Sequence, residues 1–369
     1  MPLRLAPLDK SLIGELLPWD LYTATGVLVA RAGVEVKNAA QFAELCSRPL
    51  FRRYLDPFSH PEEHIEPSAR LRRLIHALHA TLETVRQPGF EQSLRQHVRE
   101  LLWLSRKNHD ALLGLSRLLP VRDPAIRHCL LVAIVVIGLG RQLGESETRL
   151  ESLACAALTM NLAALRLHAD LAEDQRAFND AARMIILHHP ERGSRLLEVS
   201  GVRDPVWLSA VQQHHENLDG SGYPLGLVGE AIGQPARLLR VADFFIAKIS
   251  GRRSRPPKSA QFALSLILLE NDRQQLDAQL AKLLLQRYGL YPSGTLVKLE
   301  NQEVAVIIRN GGRCGSASLA MSFLRPRGRV LAFPIERDLS LPGQGVSEVL
   351  EREAYRSKLP WESFWRDWA

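Results

Sequence analysis

The chain has 369 residues, 46% of them hydrophobic, and its 47 Lys plus Arg stand against 40 Asp plus Glu, a formal charge of +7. That length exceeds one ordinary domain, so two or three units are expected, with ample apolar material for a buried core. The modest positive surplus favours anionic ligands weakly, and no nucleic acid is expected as a partner.

The stretch Met1 to Lys10 lacks the apolar core of a signal peptide. The longest apolar run, Cys129 to Gly140, is shorter than the roughly 20 residues of a membrane span. It reads as a buried helix, and no span is expected. Cys46, Cys129, Cys155 and Cys314 lie far apart without a CxxC pair, so neither a disulfide framework nor a zinc knuckle is expected. A reduced, cytoplasmic protein follows as the expectation.

Residues 1–65 read as a small α/β module. Asp20 to Gly26 and Val27 to Gly33 suggest two short strands around a Gly turn, with a helix over about Asn38 to Cys46. Asp56 to Pro67, rich in Pro and His, reads as a linker. From Pro67 to about Tyr288 the pattern is helical: Leu71, Leu74, Ile75, Leu78 and Leu82 recur at three and four. Helices are expected near 91–118, 124–143, 147–167, 176–199, 204–216, 234–250, 259–270 and 274–288. Residues 66–110 are taken as a helical linker and 111–290 as the principal domain.

Beyond Tyr291-Pro292 the pattern alternates as strands do. Gly294 to Leu299, Val304 to Ile308 and Val330 to Phe333 flank Asn310-Gly311-Gly312, so 291–340 reads as a small β module. Residues 341–369 read as a tail. In it Trp361, Phe364, Trp365 and Trp368 fall on one helical face. That face either docks on its own protein or makes a partner or dimer contact. The fold class expected is mainly α, an all-helical domain between two small flanking modules.

The most informative segment runs from His214 to Pro224. Two adjacent histidines and Glu216 end a helix, and Asp219-Gly220, Ser221-Gly222 and Tyr223-Pro224 build a turn directly after it. Imidazole and carboxylate groups on a rigid support are what metal chemistry needs. The loop puts Tyr223 beside them.

This segment resembles the signature of the HD-GYP family of cyclic-di-GMP phosphodiesterases. The resemblance covers roughly residues 110–290 and implies an HD-type helical fold with two metal ions that clamp a phosphoryl group and activate water. His128 matches the family's first histidine, and His189, in His188-His189-Pro190, a second-site histidine. His214 and His215 match the signature pair, and Asp243 the closing aspartate. Arg252 and Arg255 fall where the family approaches phosphate, although Arg253-Ser254 replaces the Pro-Tyr between them. They either grip phosphate or belong to a solvated basic loop. Gly222, Tyr223 and Pro224 form the loop that the family uses against diguanylate-cyclase (GGDEF) domains.

The central His-Asp pair is replaced. Met160 stands for the histidine, Asn161 for the bridging aspartate and Ala164 for a lysine. A thioether suits hard ions poorly, and a neutral amide cannot balance two cations. His168 lies eight residues past Met160, about 12 Å along a continuous helix, too far to substitute for it. Losing an outer-shell partner alone typically costs ~10–100-fold in metal affinity or activity, and two direct ligands should cost more. The expectation is therefore no metal, or one divalent ion (iron, manganese or zinc) of reduced affinity, held by the three imidazoles of His189, His214 and His215. Three readings follow: a degenerate member that binds cyclic-di-GMP or a signalling partner without hydrolysis, a hydrolase with a reduced site, or a scaffold without nucleotide. A homodimer is a further expected option.

Overall fold

The computed structural model describes residues 3–5, 8, 12–14, 17, 20–24, 27–31, 34–47, 49–53, 66–121, 123–167, 179–250, 275–311, 318–326, 329–350 and 361–365. Arg252, Arg255, His168, Trp368 and the expected helix at 259–270 lie outside them. The chain divides into two compact units, Met1–Glu66 and Pro67–Ala369.

The first unit is a four-stranded antiparallel sheet of order β1-β4-β2-β3: β1 Leu3–Leu5, β2 Leu21–Tyr22, β3 Leu28–Ala30 and β4 Phe51–Arg53. Helix α1, Ala39–Cys46, starts at Asn38, whose side chain accepts from the Gln41 N–H. Leu17, Leu21, Val36 and Leu50 form its own small core.

The second unit is helical: α2 Pro67–Glu83, α3 Phe90–Leu118, α4 Pro124–Gln142, α5 Glu147–Thr159, α6 Asp180–Val199, α7 Pro205–Gln213, α8 Gln234–Ile249 and α9 Ala278–Tyr288. Side-chain caps set where many of them begin. Asp123 precedes Pro124 and accepts from the Ala125 and Ile126 N–H groups, and Asp204 precedes Pro205 and accepts from Val206 and Trp207. Helix α4 is buried almost continuously from Ala125 to Gly140, which explains its apolar sequence. Pro124–Gln142 and Glu147–Leu167 are long and apolar enough to cross a membrane, but most of both is buried within the fold.

Helix α3 is not continuous. Asn108 has φ −161° and ψ 102°, and its Oδ1 accepts from the Ala111 N–H at 2.9 Å, so it caps a second helical segment. Beside this kink runs a partly buried hydrogen-bonded chain. Arg141 Nη1 lies 2.7 Å from Ser105 Oγ, Ser105 Oγ 2.8 Å from His109 Nδ1, and His109 Nε2 2.9 Å from Tyr288 OH, which donates to Val135 O.

The helix expected over 147–167 also breaks. Helix α5 ends at Thr159, and a 3₁₀ turn follows at Leu162–Ala164. The continuous helix used to set His168 aside is thus absent at Met160 and Asn161.

At the C-terminal end, β5 Leu296–Leu299, β6 Val304–Arg309, β7 Leu319–Arg325, β8 Arg329–Asp338 and β9 Val346–Val349 form an antiparallel sheet of order β8-β7-β6-β5-β9. Strand β9 lies in the stretch read as a tail, and β7 falls in a stretch the sequence reading passed over. Val304, Val306 and Ile308 join the helical core, while Ala305 and Ile307 face a second apolar cluster. Arg117 Nη1 fastens α3 to the sheet by donating to Pro292 O, Ser293 O and Thr295 Oγ1.

The aromatic tail docks on its own protein. Trp361–Phe364 is a 3₁₀ turn rather than an α-helix, and Trp361, Phe364 and Trp365 are buried. Phe364 stacks on Phe323 with centroids 5.7 Å apart, and Trp365 Nε1 donates to Ile308 O at 2.8 Å. A Cβ added at Gly114 would come within 2.2 Å of the Trp365 ring, so α3 leaves the space that the indole fills. These three aromatics are spent on packing inside the fold.

Candidate functional site

Two helices bring three imidazoles together. His189 sits mid-way along α6, one residue before Pro190; His214 and His215 follow the last turn of α7. One ligand atom from each of His189, His214 and His215 lies within 4.8 Å of the others. Gly193, one turn beyond His189, packs α6 against this region: a Cβ there would make ordinary contact with Val211 at 3.5 Å and Met160 O at 3.8 Å.

The protons of two rings can be assigned from their partners. His189 Nδ1 lies 2.6 Å from Ile186 O and His214 Nδ1 lies 2.7 Å from Val211 O. A carbonyl only accepts, so each Nδ1 carries the hydrogen and each neutral ring has its lone pair on Nε2. Those two Nε2 atoms face one another at 3.2 Å. Burial, followed by the neighbouring His189, pushes His214 down to about 3. Burial and then His214 hold His215 well below its ordinary value, and burial lowers His189 as well. Two neutral lone pairs turned toward each other repel, and a cation between them relieves the repulsion. The donor set fits one divalent ion, with backbone carbonyls as the outer partners of two ligands.

His128 and Asp243 form a different group. His128 Nε2 donates to Asp243 Oδ1 at 2.7 Å, from α4 to α8. Burial alone would raise the Asp243 carboxyl, but the His128 hydrogen bond and charge, with His215 and His214 behind them, hold it far below the usual carboxylate range. The five predicted ligands are therefore a trio and an adjoining hydrogen-bonded pair, whose Asp243 acts electrostatically on all three rings of the trio.

Met160 is fully buried, and Asn161 is buried beside Cys129. Asn161 Nδ2 points to Cys129 Sγ at 3.9 Å, and Asn161 Oδ1 is buried with no hydrogen-bond partner among the described residues. An orphaned amide oxygen here can accept from a water or face a cation, but it carries no charge.

The loop after the histidines folds back on the helix end that precedes it. A Cβ at Gly222 would lie 2.3 Å from Asn217 N, 2.5 Å from Glu216 Cα and 2.6 Å from His215 O, all backbone, so only glycine fits. The Tyr223 N–H donates to His215 O, and the Tyr223 ring stacks on His215 with centroids 4.7 Å apart; the Tyr223–Pro224 peptide is cis. The sequence reading placed Tyr223 near the metal and missed what braces it. Glu216 is buried and accepts from the Leu225 and Leu227 N–H groups at 2.7 and 3.0 Å. Arg240, one turn before Asp243, donates twice to Asn217 Oδ1. A carboxylate between His-His and a Gly-rich turn was the available signal for the first of these. Nothing local marked the second.

A helical bundle with a buried histidine cluster at a helix end, closed by a Gly-Tyr-Pro loop, defines an HD-type domain. Residues 108–280 match the HD domain family model, which begins at the Asn108 kink. The cyclic di-GMP phosphodiesterase PA4108 of Pseudomonas aeruginosa is 27% identical over 240 residues, covering 65% of this chain and 55% of that protein. The cyclic di-GMP phosphodiesterase response regulator RpfG of Xanthomonas campestris is 30% identical over 195 residues, covering 52% of this chain and 51% of that protein. The chain spans about half the length of the curated relatives it matches. Bd1817, an HD-GYP protein from Bdellovibrio bacteriovorus, shares the fold at a TM-score of 0.51 and 13% identity, over 77% of this chain and 97% of that one. Residues 108–280 are thus similar to the HD domain family, and the curated relatives that match this chain are named as cyclic di-GMP phosphodiesterases.

Proposed function

We propose that this domain works in cyclic-di-GMP signalling by recognition rather than by hydrolysis. One observation carries the reading: where the family has its bridging carboxylate, this chain has the neutral, buried Asn161 with Met160 beside it. The remaining carboxylate, Asp243, is already bound by His128. The names of the relatives supply the ligand.

His189, His214 and His215 would hold a single ion, iron, manganese or zinc, which when bound offers Lewis acidity to a phosphate oxygen. The affinity is expected to be reduced, because no second carboxylate balances the charge. Tyr223 is fixed by its stack on His215 and presents the loop as a surface. Leu225 and Val228, 51% and 61% exposed beside it, would give a GGDEF-domain or other signalling partner an apolar contact. Arg252 and Arg255 would meet the ligand's phosphates.

The histidine trio favours a second reading, a phosphodiesterase with a reduced, single-ion site. Calorimetry with cyclic-di-GMP, metal analysis and a turnover assay on the manganese-loaded protein separate the two. Binding that weakens with Arg252→Ala, without turnover, is the expected result. Turnover abolished by His214→Ala would establish the second reading, and neither binding nor turnover would sink both and leave a scaffold.

A further inference from the structure

The outer face of α6 carries a groove unrelated to the histidine trio. It has a volume of about 770 Å³ and is lined by His188, Glu191, Arg192 and Arg195 of α6 and by Arg86 from the turn between α2 and α3. That volume is in the ~300–1,000 Å³ range of small-molecule sites. Leu196 and Val199 supply an apolar wall, and Val199 is left 75% exposed.

The charges there are unevenly matched. Arg195 is paired with Glu198 at 3.0 Å, both well exposed. Arg86 and Arg192 make no ion pair with any described residue. A neighbouring groove of about 370 Å³ shares Ser200 and also contains arginines, but these are already matched. Arg95 meets Glu91, Glu151 and Asp204, and Arg99 meets Glu151. Uncompensated positive charge therefore concentrates on the α6 side.

The C-terminal carbonyls of α6 would repel an anion, but they are occupied. Arg203 Nη1 donates to Glu198 O, Ser200 N to Leu196 O and Val202 N to Leu197 O. Arginine presents two parallel donors to phosphate. The single carboxylate of the lining, Glu191, suits a ligand that also carries donors, such as sugar hydroxyls or a guanine edge. The apolar wall suits the face of a base.

We infer that this groove binds a mononucleotide-sized phosphate ester, with Arg86 and Arg192 on the phosphate and Glu191 on a sugar or base donor. The inference stands apart from the function proposed above, since α6 turns His189 inward and this groove outward.

Titration of the full chain with GMP, guanosine and inorganic phosphate tests it. GMP should bind, with guanosine and phosphate each weaker. Arg86→Ala and Arg192→Ala should each weaken GMP roughly tenfold or more, as loss of a charge-assisted hydrogen bond does. Glu191→Gln should weaken GMP without changing phosphate, and Lys282→Ala, an exposed lysine on α9, should stay within about twofold. No binding at millimolar GMP, equal loss with Lys282→Ala, or indifference to both arginine variants would overturn the site. Sedimentation with phosphatidylserine vesicles in the absence of GMP binding would overturn it in favour of a lipid surface.

Discussion

His128 Nε2 and Asp243 Oδ1 lie 2.7 Å apart, although 115 residues separate them in the chain. The bond joins α4 to α8 and gives a buried carboxylate its partner. Removing the histidine leaves that charge uncompensated, which typically costs ~3–5 kcal/mol. His128→Ala should therefore destabilise the metal-free protein by about 3 kcal/mol in urea unfolding. A loss below about 1 kcal/mol would mean that the pair is solvated and contributes as little as a surface bridge.

The trio should hold one ion per chain. After dialysis against zinc or manganese, elemental analysis should approach one equivalent for the parent protein and fall well below it for His214→Ala and His189→Ala. Affinity should drop by more than the ~100-fold upper end typical for outer-shell changes. Two equivalents in the parent, or full retention in both variants, would contradict the trio as the binding group.

Placing a charge at position 161 gives a sharper test of Asn161. In Asn161→Asp a buried carboxylate replaces the orphaned amide oxygen. Without metal it should lower stability by several kcal/mol, on the order of an unpaired buried charge. Divalent metal should recover more stability in this variant than in the parent, by mass action on the folded state. Equal melting shifts with manganese in both proteins would place Asn161 away from any ion.

The loop depends on a residue with no side chain. Gly222→Ala drives a methyl into three backbone atoms of residues 215–217, so the turn must open. A cost of about 1–3 kcal/mol or more is expected, with faster proteolysis at Leu225 to Val228. Glu216→Gln, which keeps an acceptor for one of its two N–H groups, should be milder. Unchanged proteolysis in Gly222→Ala would show that the loop can repack.

Acid should weaken the metal-free fold through its buried imidazoles. His109 is held well below its ordinary 6.5 by burial, then by Arg287 and Arg141. Below about pH 6.5 the unfolded chain takes up a proton that the folded chain refuses, so stability falls as pH falls toward the folded value. His189, His214 and His215 act with the same sign. His109→Gln should reduce the slope between pH 6.5 and 5 by about 1.4 kcal/mol per pH unit, one proton's worth. Identical slopes in variant and parent would contradict a neutral His109.

The sequence by itself determined where several helices start and the family resemblance. Asp123-Pro124 and Asp204-Pro205 mark helix starts by local hydrogen bonding, and the His214 to Pro224 string needs only neighbouring residues to be recognised. The uncharged side chains of Met160 and Asn161 were equally legible, because they are a matter of residue identity. What only the tertiary structure decided was which residues meet. His189, His214 and His215, already expected to hold a single ion, do come together, whereas the bond of Asp243 to His128 beside them was not foreseen. The break after Thr159, the kink at Asn108 and the burial of Trp365 against Gly114 were also decided there. Spacing along a chain sets the face of a helix on which a side chain sits. The angle and depth at which two helices pack depend on the whole core between them, and no local pattern encodes that.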